Sequence, residues 1–233
     1  MLVLALDTST DAVVVGLVEI TENAVTVLAE QVCPGARQHS EQLMPALLAV
    51  CDSAGRRPVE LDAVVCGVGP GPFTGLRVGI ASAAAFADAL GVPAYGVCSL
   101  DGVAAEQAGP DGTAEPLLVV TDARRREVYW AAYQGGRRTH GPAVDTPAAL
   151  AERVPGLGVR LIAGTMAEEL AHSFGLAVRP ALRPCAAGLV AAAAAALRAG
   201  GEPAPLEPMY LRRPDAVPPG ARKRVTAGTT ATT

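Results

Sequence analysis

Apolar residues open the chain in runs of strand length. LVLALD is rich in Leu and Val, TSTDA supplies turn formers, and VVVGLVEI is apolar again, a pattern that predicts a β-hairpin at the start. A third apolar stretch, AVTVLAEQV, follows. The period then changes: Leu43, Leu47, Val50, Cys51 and Ala54 recur at helical spacing and stop at Gly55, a residue suited to the position after a helix. Pro45 sits early in that helix, where its missing N–H predicts a late start or a kink. DAVVCGVG reads as a buried strand, residues 74–90 as a helix ended by Gly91, and VPAYGVCS as another strand followed by a short helix.

From Glu115 the pattern begins again. LLVVTD is a strand, ARRR a polar turn, and EVYWAAYQ a strand that closes over Gly135 and Gly136 into a further hairpin strand. Asp7 and Asp122 each end an apolar strand just before a hairpin, which points to an internal duplication. Helix-like PAALAERV, strand RLIAG, helix MAEELAHSF and an alanine-rich helix over 186–199 complete the second half. Strand clusters alternating with helices predict an α/β fold of two related subdomains, 1–106 and 107–213. The break is expected at 107–114, where AGPDGTAEP interrupts both periods, and residues 214–233 lack a core-forming pattern and read as a flexible basic tail.

Composition sharpens this picture. The chain has 233 residues, 50% of them hydrophobic, enough to bury a core, and disorder of the whole is excluded. Its net charge of -4 is uneven: Arg212, Arg213, Arg222, Lys223 and Arg224 against Asp215 make the last 22 residues +4, leaving -8 on residues 1–211. Such a body repels a phosphate backbone except at local patches. Eight aromatics, one Trp, four Tyr and three Phe, argue against a base-stacking platform. The five cysteines form no CxxC pair and read as small apolar fillers in a reducing, cytoplasmic setting. The start carries no basic signal region, and the apolar run 186–197 falls short of the ~20 residues that span a bilayer, so no membrane attachment is expected.

Several segments invite chemistry. GVGPGPFTGLRVGIASAAAFADALG joins a strand, a Gly/Pro loop and a helix, the outline of a phosphate cradle. Yet no lysine precedes Lys223, Thr74 stands where a dinucleotide fingerprint needs its third glycine, and Pro70 and Pro72 delete two N–H donors. A stiff turn with Thr74 as N-cap is the preferred reading. In the following helix Gly75, Gly79, Ala83 and Ala87 line one face, a stripe that lets another element approach closely, either within the chain or from a partner. His39 beside Glu41 suggests a metal pair, but the i+4 position is Leu43. Asp7 and Asp122 each fit either a turn-closing carboxylate or a ligand of metal-bound water. Arg124, Arg125 and Arg126 read as a solvated turn or, as the minority reading, a contact for RNA or a partner.

At LALDTST, HSEQLMP, GVGPGPFTGLRVGIA, GVCSLDGVA and DARRREVYWAAY the chain resembles the TsaB family, the dimerisation subunits of the bacterial tRNA threonylcarbamoyladenosine (t6A) machinery. The resemblance runs over about residues 1–133, with a weaker echo at PMYLRRP. It implies an actin-like, sugar-kinase-like α/β fold built from two duplicated subdomains, each a mixed sheet with flanking helices. It also implies a non-catalytic paralogue that pairs with the catalytic subunit TsaD, with the ATPase TsaE joining them and tRNA reached through the complex. Together they would carry a threonylcarbamoyl group to the adenosine beside the anticodon of tRNAs reading codons that begin with A. TsaD carries an HxxxH metal pair, of which this chain keeps His39 and has Leu43 in place of the second histidine. No cofactor is implied on this chain alone; ATP and a metal ion belong to the partner subunits.

The family's partner surface, carried over by segment, falls on Leu43, Leu47 and Cys51 of the first helix and on Gly75, Arg77, Gly79, Ser82, Ala83 and Phe86 of the second. On that reading Ala83→Arg blocks association by wedging a long charged side chain into a close helix contact, and Arg77, a cation in a first helical turn, has an acidic partner. Exposed small and apolar residues predict a homodimer when the chain is isolated. A competing reading is an ATP-dependent phosphotransferase of the same fold that uses Asp7 and Asp122. A metallopeptidase is disfavoured by the missing histidine pair.

Overall fold

The structure, a computed structural model, describes residues 1–35, 39–107, 115–180 and 183–212, with the backbone alone at 39 and 40. Strand β1 (Leu2–Asp7) pairs antiparallel with β2 (Ala12–Ile20), which pairs with β3 (Val25–Pro34). Helix α1 (His39–Ser53), a 3-10 turn at Pro58–Glu60, β4 (Ala63–Gly67), α2 (Phe73–Leu90), β5 (Ala94–Val97) and α3 (Ser99–Glu106) complete the first half. Its sheet runs β3-β2-β1-β4-β5, with β4 parallel to both β1 and β5.

The second half repeats the plan. Strands β6 (Leu117–Asp122), β7 (Val128–Gln134) and β8 (Arg137–Asp145) form an antiparallel meander, followed by α4 (Pro147–Leu157), β9 (Leu161–Ala163), α5 (Ala167–Phe174) and β10 (Ala177–Val178). The sheet order, β10-β9-β6-β7-β8, matches the first sheet strand for strand. Asp7 lies opposite Val14 and Asp122 opposite Val128, so each aspartate is the last paired residue of the first strand of its hairpin. The duplication read from the sequence is therefore present in the topology.

Both sheets are covered on two faces, which is why their central strands read as continuous apolar runs. Leu2, Leu4 and Leu6 of β1 point into a core shared with α1 and α2, while Val3 and Ala5 face α6 (Ala186–Ala199). In β6, Leu118 and Val120 meet α4 and α5, while Leu117 and Val119 meet α3. Each of α3 and α6 thus packs on the sheet of the other half. They cross at glycines: a Cβ on Gly188 would overlap the Gly102 carbonyl oxygen, and one on Gly102 would press on Leu189. The α6 N-terminus is seated on the first sheet by Glu30, whose carboxylate accepts the Ala186 N–H at 2.6 Å, a favourable charge for that helix end.

After α6 the chain straps back across both halves. Leu206 joins the α1/α2 core, the Met209 N–H donates to the Val68 carbonyl at 2.8 Å, and Met209 and Leu211 pack on the α3 side of the second sheet. Of the break expected at 107–114, all but residue 107 lies outside the described residues, as does the tail 214–233.

Some local expectations are corrected. Helix α2 starts at Phe73 with Pro72 at the N-cap and no side-chain cap, so Thr74 is inside the first turn. Helix α1 starts at His39 rather than late and continues through Pro45, which lies on its exposed face. The cysteines are free; Cys51, Cys66 and Cys98 are buried fillers, and burial, then the Asp101 charge, pushes the Cys98 thiol up to about 11. Among the described helices α2 has the length and apolarity of a bilayer span, yet Leu76, Ala83 and Ala87 are buried in its own half while Arg77 and Asp88 are exposed.

Gly188→Ala is expected to cost about 1–3 kcal/mol, because the new methyl meets backbone rather than a movable side chain. Thermal melts should show Tm lower by about 2–4 °C per kcal/mol. Gly156→Ala in α4, where a Cβ meets nothing within 4 Å, should leave Tm equal or higher.

Candidate functional site

Two places concentrate the residues singled out by sequence: the outer helices α1 and α2, and the cleft between the β1–β2 and β6–β7 turns. On the helices, six of the nine expected interface residues face inward. Leu43, Leu47 and Cys51 are 1%, 0% and 3% exposed and pack with Leu4, Leu6 and Leu17. Gly75, Gly79 and Ala83 are buried against the chain's own first sheet and turn. Thr8 Oγ1 donates to the Gly75 carbonyl at 2.8 Å, and a Cβ on Gly79 would overlap that same hydroxyl. The small-residue stripe therefore marks an intramolecular approach, and Ala83→Arg would disrupt the core rather than a surface.

Arg77 is exposed, and Ser82 and Phe86 are half-buried. Arg77 has no acidic partner among the described residues; its guanidinium carbon lies 5.1 Å from the Phe73 ring centroid. Phe73 in turn lies 5.0 Å from the Tyr210 ring, and both aromatics are exposed, at 50% and 43%. The outward apolar face of the helix pair is carried by Met44 and Leu48, 42% and 54% exposed, and by Ala81, Ala84 and Ala85. Between α2 and the strap at 203–210 runs an apolar groove of about 640 Å³, lined by Ile80, Ala84, Leu206 and Tyr210 among others. Sequence reasoning missed Met44 and Leu48, though both are large apolar residues one step off the core stripe of Leu43 and Leu47. That displacement was the available signal.

The cleft is built differently. Asp7 is 0% exposed: its Oδ1 accepts from the Ser9 N–H at 2.8 Å and the Ser9 hydroxyl at 2.6 Å, and its Oδ2 from the Ser99 hydroxyl at 2.5 Å. Asp122 closes the second hairpin with the same i to i+2 geometry, accepting from the Arg124 N–H at 2.8 Å, but it is exposed and lines a cleft of about 340 Å³ with Ser9, Thr10, Thr165 and Arg183. The repeated geometry is that of a turn-closing carboxylate. A metal-bound nucleotide held by both aspartates would need Asp7 to leave three hydrogen bonds.

The Gly/Pro loop packs onto this turn. The Gly69 N–H donates to Ser99 Oγ at 3.1 Å and its carbonyl accepts from the Ser99 N–H, while Gly71 abuts the Ser9 backbone. Gly67 leaves room for the Asp7 carboxylate itself. The loop's glycines thus serve close packing, as the stiff-turn reading expects. Burial, with the Asp7 charge adding to it, pushes the neighbouring Cys66 thiol far up.

The turn after β6 has an unusual backbone. Arg124, Arg125 and Arg126 all have positive φ, 64°, 52° and 63°, a region that costs a side-chain-bearing residue roughly 1–2 kcal/mol. Hydrogen bonds from Ala123 N–H to the Glu127 carbonyl and from Glu127 N–H to the Arg124 carbonyl, both 3.0 Å, hold it closed. Arg212 clamps it from the strap, pairing with Glu127 and donating to the Ala123 carbonyl at 3.1 Å.

Two like sheets with interlobe helices define the sugar-kinase-like, actin-related class, and a ROK hexokinase from Thermus thermophilus shares this fold at 17% identity, TM-score 0.50. A model of the family described as "TsaD: tRNA N6-adenosine threonylcarbamoyltransferase" matches residues 26–200. YeaZ from Pseudomonas aeruginosa superposes with TM-score 0.73 and 32% identity, covering 90% of this chain and 99% of that one. An uncharacterized protein of Mycobacterium tuberculosis is 52% identical over 93% of this chain and 94% of its own length. The tRNA threonylcarbamoyladenosine biosynthesis protein TsaB of Escherichia coli is 37% identical over 135 residues, 58% of this chain and 55% of that protein. The chain belongs to the TsaD family, as a member of the TsaB type.

Ser99→Ala tests the structural role of the cleft floor. Removing the hydroxyl strips Asp7 Oδ2 and the Gly69 N–H of the bonds they make to it, and stability in urea should fall by about 1.5–3 kcal/mol.

Proposed function

We propose that this chain is the non-catalytic scaffold of a tRNA-modifying complex. It supports a TsaD-type subunit that transfers threonylcarbamoyl to the adenosine beside the anticodon. The reading is supported by the TsaB-named relatives and by one structural observation. The outer face of α1 and α2 carries Met44, Leu48, Ala84 and Ala85, bordered by the exposed pair Phe73 and Tyr210, while the cleft residue Asp7 is committed to the fold. Exposed large apolar side chains beside small ones, with aromatics and Arg77 at the margin, form the kind of patch that buries well against a second helical surface.

The partner interface in this proposal differs from the residues carried over by segment. The same two helices dock, but through Met44, Leu48, Ala81, Ala84 and Ala85, with Arg77 at the rim; Leu43, Leu47, Cys51, Gly75, Gly79 and Ala83 support them from beneath. Left uncovered, the face pairs two copies of the chain. ATP and the metal ion reside on the partner subunits, TsaE joins the assembly, tRNA is engaged through it, and the complex works in the cytoplasm.

Reconstitution tests the function. Threonylcarbamoylation of a tRNA transcript by the catalytic subunit and ATPase should require this chain, and this chain alone should give none. Full activity without it would overturn the proposal. The interface has its own test: Leu48→Asp and Ala85→Arg should melt as the unmodified chain does yet weaken co-elution with the catalytic subunit by about tenfold or more. Ala83→Arg should instead lower Tm.

A further inference from the structure

The chain has eight aromatic side chains, and all of them lie among the described residues. Tyr95, Tyr129, Trp130 and Tyr133 are buried, and Phe86 and Phe174 are half-buried. The two that remain exposed, Phe73 and Tyr210, lie against each other, with Arg77 over the Phe73 ring. Rings left half in water contribute less to the fold than buried ones, whereas aromatics beside an arginine are the side chains most enriched at binding hot spots. Tyr210 belongs to the strap and Phe73 to the first turn of α2, so the pair stands at the Arg77 end of the groove between those two segments.

Arg77 lines one end of that groove and Asp88 the other, and the lining between them is apolar, with Ile80, Ala81, Ala84 and Leu206. Eleven residues apart, Arg77 and Asp88 share one face of α2 and lie about 16 Å from each other along its axis. Both are exposed, and neither forms an ion pair among the described residues. The wall opposite the helix is the strap, where Pro203, Pro205 and Pro208 fix the backbone and carry no N–H. That wall is pinned at three points: Leu206 in the α1/α2 core, the Met209 N–H on the Val68 carbonyl, and Arg212 paired with Glu127 of the second half. A groove with both walls held in place costs little to organise on binding.

Shape selects the occupant. A two-fold contact sets one patch against the same patch of a second copy, and a groove facing itself leaves its space unfilled. A convex ridge fills it, and a ridge of side chains that lies along a helix for about 16 Å is the surface of another helix. Charge then sets the direction in which that helix lies. We propose that the groove between α2 and the strap seats an amphipathic helix of the catalytic partner, with a carboxylate at the Arg77 end, a cation at the Asp88 end and an apolar side chain against Phe73 and Tyr210. The inference rests on the proposed function in taking the partner to be the catalytic subunit. It extends the docking face from α1 and α2 to the strap, so that a segment tied to the second half shares in the contact.

Titration calorimetry of the full chain with the catalytic subunit tests the groove. Arg77→Glu and Asp88→Lys should each melt as the unmodified chain does. Each should weaken binding on the order of tenfold in about 50 mM salt and by clearly less in about 500 mM, where exposed charges are screened. Tyr210→Ala should weaken binding by about tenfold at either salt. The double variant Arg77→Glu/Asp88→Lys should stay weakened, because both charges of the partner helix then meet their own sign. Unchanged affinity in the charge variants would overturn the site. Sedimentation of the isolated chain addresses a second copy as occupant. With two α2 helices antiparallel, Arg77 would meet Asp88 of the other copy, so each single variant would dissociate the pair and the double variant would restore it; that pattern would also overturn the proposal. Leu48→Asp separates the failures. Binding lost in Leu48→Asp but normal in the charge variants rejects the groove alone, whereas no binding by the unmodified chain rejects the proposed function with it.

Discussion

The crossing of α3 and α6 at Gly102 and Gly188 is the constraint on which the rest of the structure depends. Each helix packs on the sheet of the opposite half, so neither half completes its core without the other. The contact is backbone against backbone, which permits one separation and little else. From it follow the seating of α6 on the first sheet through Glu30 and the return of the strap that delivers Leu206, Met209 and Arg212 to both halves.

That frame places two hairpin turns across one cleft and then spends their chemistry on themselves. Asp7 is buried beneath Ser9 and Ser99, and the Gly/Pro loop that might have met a phosphate packs its backbone on the same turn. In the second hairpin the equivalent Asp122 stays exposed and its turn displays arginines. The duplicated element has thus diverged: one copy became an interior support and the other a charged surface. Meanwhile α1 and α2 cover the outer face of the first sheet with one side of each helix and leave the other side apolar.

Much of this was legible in the residues. Continuous apolar runs such as LVLALD and LLVVTD, Gly91 after α2, and the matched Asp7 and Asp122 carried the elements and the duplication, because these depend on local sequence. What local sequence could not carry was direction. The stripe Gly75, Gly79, Ala83 announces a close approach without saying to what, and the answer, Thr8, is some seventy residues away. Leu43 and Met44 are adjacent and both apolar, yet only the sheet beneath decides that the first is core and the second surface. Thr74 had the chemistry of an N-cap, but the cap is Pro72, which sets the helix start two residues earlier than that reading required. The placement of α6 on the first sheet depends on a glycine contact between residues 102 and 188, which no window along the chain contains.

The central claim is that this chain acts through the outer face of its first two helices and not through its cleft. Hydrogen–deuterium exchange of the full chain, with and without the catalytic subunit, tests it most directly. The account predicts slower exchange over α1 and α2 on complex formation, with the Asp7 and Asp122 turns unchanged. Protection confined to those turns, with the helices exchanging as in the isolated chain, would contradict it.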